Sequence, residues 1–293
     1  MYKKILVPLD GSDLSATVLP YVRWLASALK TPVELLHVQD VNRLAPYSPP
    51  LQIGYLENIA ESFSQGSDVK CTIECGNPAE LIIHKTSAEP GVLVAMATHG
   101  YTGAARWLLG SVALKALRGL HSDLLTVRPG GGDDSGHAEL KTIIVPLDLS
   151  PAAERVIAPV LELAQRLDLE VILMHVTKHV YSGPPDAFLP VFGAIPNLKE
   201  LWEHDTAVGA AYLTEKVTEL RGRGVSRVSS RVLSGGVDGA AGEIIAAAEN
   251  TPGSLIGMTS VGESGFGRWL VGSVTERVVC HSRIPVLVIR PQT

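Results

Sequence analysis

Two aspartates stand in nearly the same surroundings: Asp10 in ILVPLDGS (Ile5–Ser12) and Asp148 in IIVPLDLS (Ile143–Ser150). Two glycine-rich stretches are paired in the same way, ATHGYTGAARWLLGSV (Ala97–Val112) and TSVGESGFGRWLVGSV (Thr259–Val274). A carboxylate at the end of a strand suits a ribose hydroxyl. A glycine-rich loop entering a helix offers unpaired backbone N–H groups and the positive end of the helix dipole, which suits a phosphate. Ser111 and Ser273, in the first turn of the following helix, add a hydroxyl. The combined chemistry is that of nucleotide recognition. A plainer reading stands beside it, because glycines after a strand make tight turns and an Asp followed by Ser caps a helix. Retention of both elements in two copies weighs against the plainer reading, since a mere turn tolerates many residue types.

The elements that must position these residues follow from apolar patterning. In the first half, Ile5–Leu9, Val33–Val38, Val69–Glu74, Val92–Met96 and Leu124–Val127 read as strands. Pro8 is awkward in a central ladder, so the first strand is expected to leave the sheet there. Ser12 or Ser15 can cap a helix bearing Val18, Val22 and Leu25 at i, i+4 and i+7. Further helices are expected around Tyr55–Ser64, Pro78–Ser87 and Ser111–Leu120. Strand and helix alternate, which argues for α/β architecture: a doubly wound five-stranded parallel sheet, Rossmann-like, built twice in tandem. In such a sheet, ligands bind at the carboxyl ends of the strands, where Asp10, Asp148 and the glycine-rich loops stand.

The expected division is a first domain over 1–129, a linker over 130–138 and a second domain over 139–293. The linker contains GGGDDSG (Gly130–Gly136), which cannot pack a core. Asp148 follows Asp10 by 138 residues and Val176 follows Val38 by 138, whereas Gly272 follows Gly110 by 162. The second copy therefore carries a net 24 extra residues between its second strand and its loop. His179–Asn197 is the candidate stretch, with a longer helix, Leu198–Arg221, behind it.

Composition excludes several classes. With 46% hydrophobic and 19% charged residues among 293, the chain is globular. A net charge of −5 gives no basic footprint for nucleic acid, and the scattered Lys and Arg do not suit an anionic membrane surface. The apolar run before Pro8 is too short for a signal peptide and no stretch is long enough to span a bilayer, so a cytoplasmic location is expected. Three cysteines, Cys71, Cys75 and Cys280, are too few for a disulfide scaffold and lack zinc spacing. Cys71 and Cys75 face one way on a strand and read as packing. His37 and His175 hold matched places in the second strands and read as buried histidines bonded to backbone rather than as bases. His99 can approach a phosphate but is replaced by Val261 in the second copy. Arg106 and Arg268 are open to two readings, phosphate contact or solvated surface. SGGVDG (Ser234–Gly239) is similar to a pyrophosphatase loop but follows a third strand, not a first. There is no P-loop and no GxGxxG fingerprint.

ILVPLDGS, the strand LLHV (Leu35–Val38), and ATHG-x9-GSV followed by a strand ending in VRP (Val127–Pro129) resemble the universal stress protein family. The resemblance covers nearly the whole chain, as a tandem two-domain member. It implies a fold similar to other adenine-nucleotide-binding α/β domains. ATP-binding members carry G-x2-G-x9-G-(S/T), matched here by Ala97-x2-Gly100-x9-Gly110-Ser111 and Thr259-x2-Gly262-x9-Gly272-Ser273. The first glycine is missing from both copies. Ala97 adds a methyl group, and Thr259 is β-branched, a worse fit if the backbone there has positive φ. The first site therefore ranks above the second.

By that resemblance, Asp10 and Asp148 contact the ribose or the base edge, and the backbone of Val38 and Val176 lies at the adenine. Gly100, Gly110, Ser111 and their counterparts Gly262, Gly272 and Ser273 surround the phosphates. Pro8, Leu9, Met96, Ala97 and Val112 complete the binding set of the first half, as Pro146, Leu147, Met258, Thr259 and Val274 do in the second. The implied ligand is ATP, with or without Mg2+, and the implied role is a non-enzymatic stress-response module. The alternative is a nucleotide-free interaction scaffold with degenerate ATP sites. The fifth strands, Leu124–Val127 and Pro285–Ile289, are implied to pair inside the chain or between chains of a homo-oligomer such as a dimer.

Overall fold

The computed structural model describes residues 2–40, 53–99, 109–130, 138–177, 198–260 and 271–290. Residues 131–137 of the linker expected over 130–138 and the stretch His179–Asn197 lie outside the described residues.

The first half runs β1 (Lys4–Pro8), α1 (Asp13–Ala16), α2 (Leu19–Leu29), β2 (Val33–Gln39), α3 (Ile53–Ala60), β3 (Val69–Cys75), α4 (Pro78–Ala88), β4 (Val92–Ala97), α5 (Ser111–Gly119) and β5 (Leu124–Val127). The second half runs β6 (Thr142–Pro146), α6 (Pro151–Glu154), α7 (Ile157–Leu167), β7 (Glu170–Val176), α8 (Leu198–Gly222), β8 (Val228–Leu233), α9 (Gly239–Glu249), β9 (Ser254–Thr259), α10 (Ser273–His281) and β10 (Val286–Ile289). Among the described residues ten strands form one sheet in the order β3-β2-β1-β4-β5-β10-β9-β6-β7-β8. Pairing is parallel within each half. It is antiparallel where β5 meets β10, at Leu124↔Val288, Leu125↔Leu287 and Thr126↔Val286. The two fifth strands thus pair with each other inside the chain.

Each half is doubly wound, with β1 or β6 at the point where strand order reverses. The crossovers place α1, α2 and α3, with α6, α7 and α8, on one face; α4, α5, α9 and α10 cover the other. The apolar layer on the first face joins Val22, Leu25 and Leu56 to Val160, Leu163 and Leu213 in a single cluster. The layer on the second face joins Ile82 and Leu117 to Ile244 and Val278. Both cores run through both halves, so each half completes the other's interior. β4 and β9 are buried along their whole length, as the continuous apolar runs required.

Two local readings are corrected by the geometry. The helix expected after Ser12 is two helices, α1 and α2, with Pro20 near the start of α2. Proline lacks the N–H that a continuous helix would use and crowds the preceding turn, so the break falls just before it. Pro8 does not leave the sheet: it stays in register with Leu36 of β2, and Leu9 N–H donates to Leu36 O at 2.8 Å.

Candidate functional site

Pro8 explains where the crevice opens. Ile5 N–H and Leu9 N–H both donate toward β2, to Pro32 O (2.9 Å) and Leu36 O (2.8 Å). Alternate residues point their N–H the other way, so the missing N–H of Pro8 falls on the β4 side. There the ladder ends early: β1 and β4 pair only over Lys4↔Val92, Ile5↔Leu93 and Leu6↔Val94. The second half repeats the device with Pro146, and its β6–β9 ladder ends at Ile144↔Ile256. Beyond those pairs no further ladder joins the two strands. Asp10 and Asp148 stand on one bank of the gap, and the glycine-rich loops leave from the other.

Each aspartate is exposed and also organises its own turn. Asp10 Oδ1 accepts from Ser12 N–H (3.0 Å) and Ser12 Oγ–H (2.6 Å); Asp148 Oδ1 accepts from Ser150 N–H (3.1 Å) and Oγ–H (2.6 Å). Ser12 and Ser150 then cap α1 and α6 through the N–H groups of Ser15 and Ala153. The turn between requires positive φ, met by Gly11 at 89° but by Leu149 at 65° in the second half. A leucine there is strained where a glycine is not.

Behind the aspartates the matched histidines are structural supports. His37 Nδ1–H donates to Leu9 O at 2.8 Å and His175 Nδ1–H to Leu147 O at 2.9 Å, each fixing the carbonyl just before the aspartate. Both rings are buried. The His175 ring packs against Gly209 of α8, where an added Cβ would lie 2.6 Å from the ring.

On the other bank, the loops are pinched at their bases. Gly110 N–H donates to Thr98 O (2.8 Å) and Gly272 N–H to Ser260 O (2.7 Å). Gly110 and Gly272 are the N-cap residues of α5 and α10, and as glycines they supply no side-chain cap of their own. Elsewhere Ser12, Asn77 and Ser150 do that work for α1, α4 and α6. The first-turn N–H groups of each helix, those of Ser111 and Val112 or of Ser273 and Val274, have no acceptor within the helix. Ala97 and Thr259, the last residues of β4 and β9, are buried and have negative φ, since Lys30, Leu149 and Asp168 are the non-glycine residues with positive φ among those described. The missing first glycines thus bring no backbone strain. Gly100, Gly262, Arg106 and Arg268 lie outside the described residues.

Val38 and Val176 are half-buried at the ends of β2 and β7, so the described members of the expected set gather around one gap in each half. Two residues escaped the sequence reading. Tyr55 on α3 lies beside Asp10 and Asp13 and hydrogen-bonds Ser15; burial and those carboxylates raise its phenol pKa. Tyr212 on α8 donates to Glu154 Oε1 at 2.8 Å, and burial, then Glu154, then Asp148 push its phenol up further. The shared dipeptide Tyr-Leu (Tyr55–Leu56, Tyr212–Leu213) carried the signal, hidden because the insertion shifts its offset to 157.

The crevices also differ in charge. Ala16 becomes Glu154 and Ile59 becomes Lys216, which pairs with Glu154 at 3.0 Å. Leu114 becomes Glu276, an acid in the first turn of α10; α5 has none in its first turn. SGGVDG forms no anion cradle: the Glu243 carboxylate folds back against Gly236, an acid where a pyrophosphate loop needs open amides. His99 turns its Nδ1 to Thr98 Oγ1 at 2.9 Å. The three cysteines are unpaired with one another. Among the described residues no cluster of His, Cys, Asp or Glu could hold a metal, and no helix is long and apolar enough to cross a membrane.

The profile of the universal stress protein family matches residues 1–128 and 139–290. A universal stress protein of Mycolicibacterium smegmatis is 26% identical over 302 aligned positions, covering 97% of each chain. One from Methanocaldococcus jannaschii is 29% identical over 144, covering 44% of this chain and 83% of its own. Among solved structures, a universal stress protein from Archaeoglobus fulgidus superposes with a TM-score of 0.67 at 20% identity, covering 99% of both chains.

Proposed function

The chain belongs to the universal stress protein family, and from that membership and the two crevices we propose that it binds ATP, foremost in the first half, as a non-enzymatic stress-response module. Asp10 would meet the ribose, the Val38 backbone the adenine, and the amides of Ser111 and Val112 the phosphates. Pro8, Leu9, Met96 and Ala97 would form the walls. Asp148, Val176, Thr259 and Ser273 take the same roles in the second half, which ranks lower because Thr259 is β-branched where Ala97 is not and Glu276 adds an acid to the first turn of α10. Any Mg2+ would arrive with the phosphates, held by their oxygens and water. Occupancy would bias the two banks of the gap, and a partner would read that bias.

The observation that carries this reading is the placement of two elements where the β1–β4 ladder ends: an exposed carboxylate after β1 and, after β4, a helix whose N-cap residue is a glycine with no side chain of its own to cap it. Such a terminus is suited to an anion. The reading of the chain as a nucleotide-free scaffold rests on the missing first glycines, and the negative φ at Ala97 and Thr259 weakens it. The test is to assay nucleotide co-purifying with the full chain and then titrate ATP by calorimetry. Binding that Asp10→Ala or Gly110→Val abolishes, with an unchanged circular dichroism spectrum, is expected. Absence of binding at millimolar ATP would overturn the proposal in favour of the scaffold.

A further inference from the structure

The antiparallel junction lays the end of α5 beside the start of α10. Arg118, in the last turn of α5, reaches Glu276 in the first turn of α10, Nη2 to Oε1 at 2.8 Å. The two helices are also fastened crosswise by arginines that follow the fifth strands. Arg128 Nη1–H donates to Cys280 O at 2.9 Å, and Arg290 Nη2–H donates to Leu117 O. The Arg118–Glu276 contact, however, runs one way. At the matched places in the opposite sense stand Cys280 and Leu114, which cannot form an ion pair.

An acid in the first turn of a helix favours the dipole by itself but repels an anion brought to the same amides. We propose that Glu276 and Arg118 together set how much negative charge the second crevice accepts in its ligand. Glu276 disfavours a polyphosphate at Ser273; Arg118, supplied by the first half, offsets that repulsion. Among the described residues, the first crevice has Leu114 in place of the acid and no counterpart of the Arg118–Glu276 pair. The second crevice therefore prefers an adenine ligand of lower charge than the first does. The inference rests on the reading of the α10 N-terminus as the phosphate end.

The side chains are 54% and 33% exposed, so the interaction belongs to the weak, salt-screened class. Each charge removed should shift affinity for ATP by about 2- to 5-fold, and affinity for uncharged adenosine by nothing measurable.

The experiment uses the full chain carrying Asp10→Ala, which silences the first crevice, titrated calorimetrically with ATP and with adenosine at low and raised salt. Glu276→Gln is expected to strengthen ATP binding and Arg118→Ala to weaken it, adenosine unchanged in both, with effects that shrink as salt rises. In the Glu276→Gln background, Arg118→Ala should still weaken ATP binding, because the cation acts on the phosphates with or without the acid. Parallel shifts for ATP and adenosine would mark both residues as merely structural and overturn the inference, as would ATP binding indifferent to both variants. Uptake of neither ligand by the Asp10→Ala chain would overturn the assignment of the second crevice itself, and the inference with it.

Discussion

Gly209→Ala on α8 sets two effects of opposite sign against each other. In the interior of a helix, alanine in place of glycine should stabilise by about 1 kcal/mol from propensity alone. Here the new Cβ would lie 2.6 Å from His175 Cδ2 and 3.3 Å from its Cγ, well inside contact distance. The imidazole cannot swing away cheaply, because it is 7% exposed and its Nδ1–H is held by Leu147 O at 2.9 Å. Forcing extra volume into a packed site costs about 1–3 kcal/mol, and loss of the His175 hydrogen bond about 1 more. The net expectation is destabilisation by about 1–3 kcal/mol. Urea unfolding followed by tryptophan fluorescence measures it, with the slope checked for constancy. In a His175→Ala background the clash is gone, and Gly209→Ala should then stabilise by about 1 kcal/mol. The two substitutions are therefore coupled, and a double-mutant cycle reads the coupling directly. If Gly209→Ala stabilises the native protein as much as it does the His175→Ala variant, the packing argument fails.

Two further outcomes follow from buried polar groups and strained turns. Asp123 accepts from Tyr2 Oη–H at 2.9 Å and Arg290 N–H at 2.7 Å, tying the start of the chain to its end; Asp123→Asn should cost about 1–3 kcal/mol in urea unfolding. Burial raises the Asp123 carboxyl above its ordinary pKa, outweighing its hydrogen bonds. Its stabilising contribution is thus present below the unfolded carboxyl value and lost as pH rises through the folded one. Asp123→Asn should flatten that part of the stability–pH curve, and an identical curve in both proteins would refute the assignment. Gly11→Leu, placing a leucine at φ 89°, should destabilise by about 1–2 kcal/mol. Leu149→Gly should change stability by less than about 1 kcal/mol, strain relief being offset by glycine's entropy in the unfolded chain; a neutral Gly11→Leu would show that the turn is not constrained as described.

The strands and most helices could be read from the sequence because their apolar runs are continuous and buried on both faces, as in Val92–Ala97. The repeat then placed both aspartates and both glycine-rich loops at one end of the sheet. What escaped depended on partners distant in sequence. Which ladder Pro8 interrupts follows from the alternation of N–H directions between two neighbours, one of them β4. Tyr55 and Tyr212 reach the aspartates from helices beyond the second strands, and the insertion in the second copy disguised their correspondence. Positive φ at Leu149 gives no compositional hint at all, since only comparison with Gly11 exposes it. Glu276 reads as an ordinary surface acid until the antiparallel junction brings Arg118 to it.

The β5–β10 pairing has a consequence for how the two copies could change. Two copies made as separate chains must find each other by diffusion and remain self-complementary, because each also meets its own kind. Joined in one chain, they face each other at an effective concentration on the order of millimolar, whatever the abundance of the protein. Neither half then has to serve as its own mirror image. One half can take a leucine where the other keeps a glycine, or lend an arginine that is never lent back. The junction holds two unlike halves in a fixed one-to-one ratio within one chain, and that freedom is what its unequal crevices record.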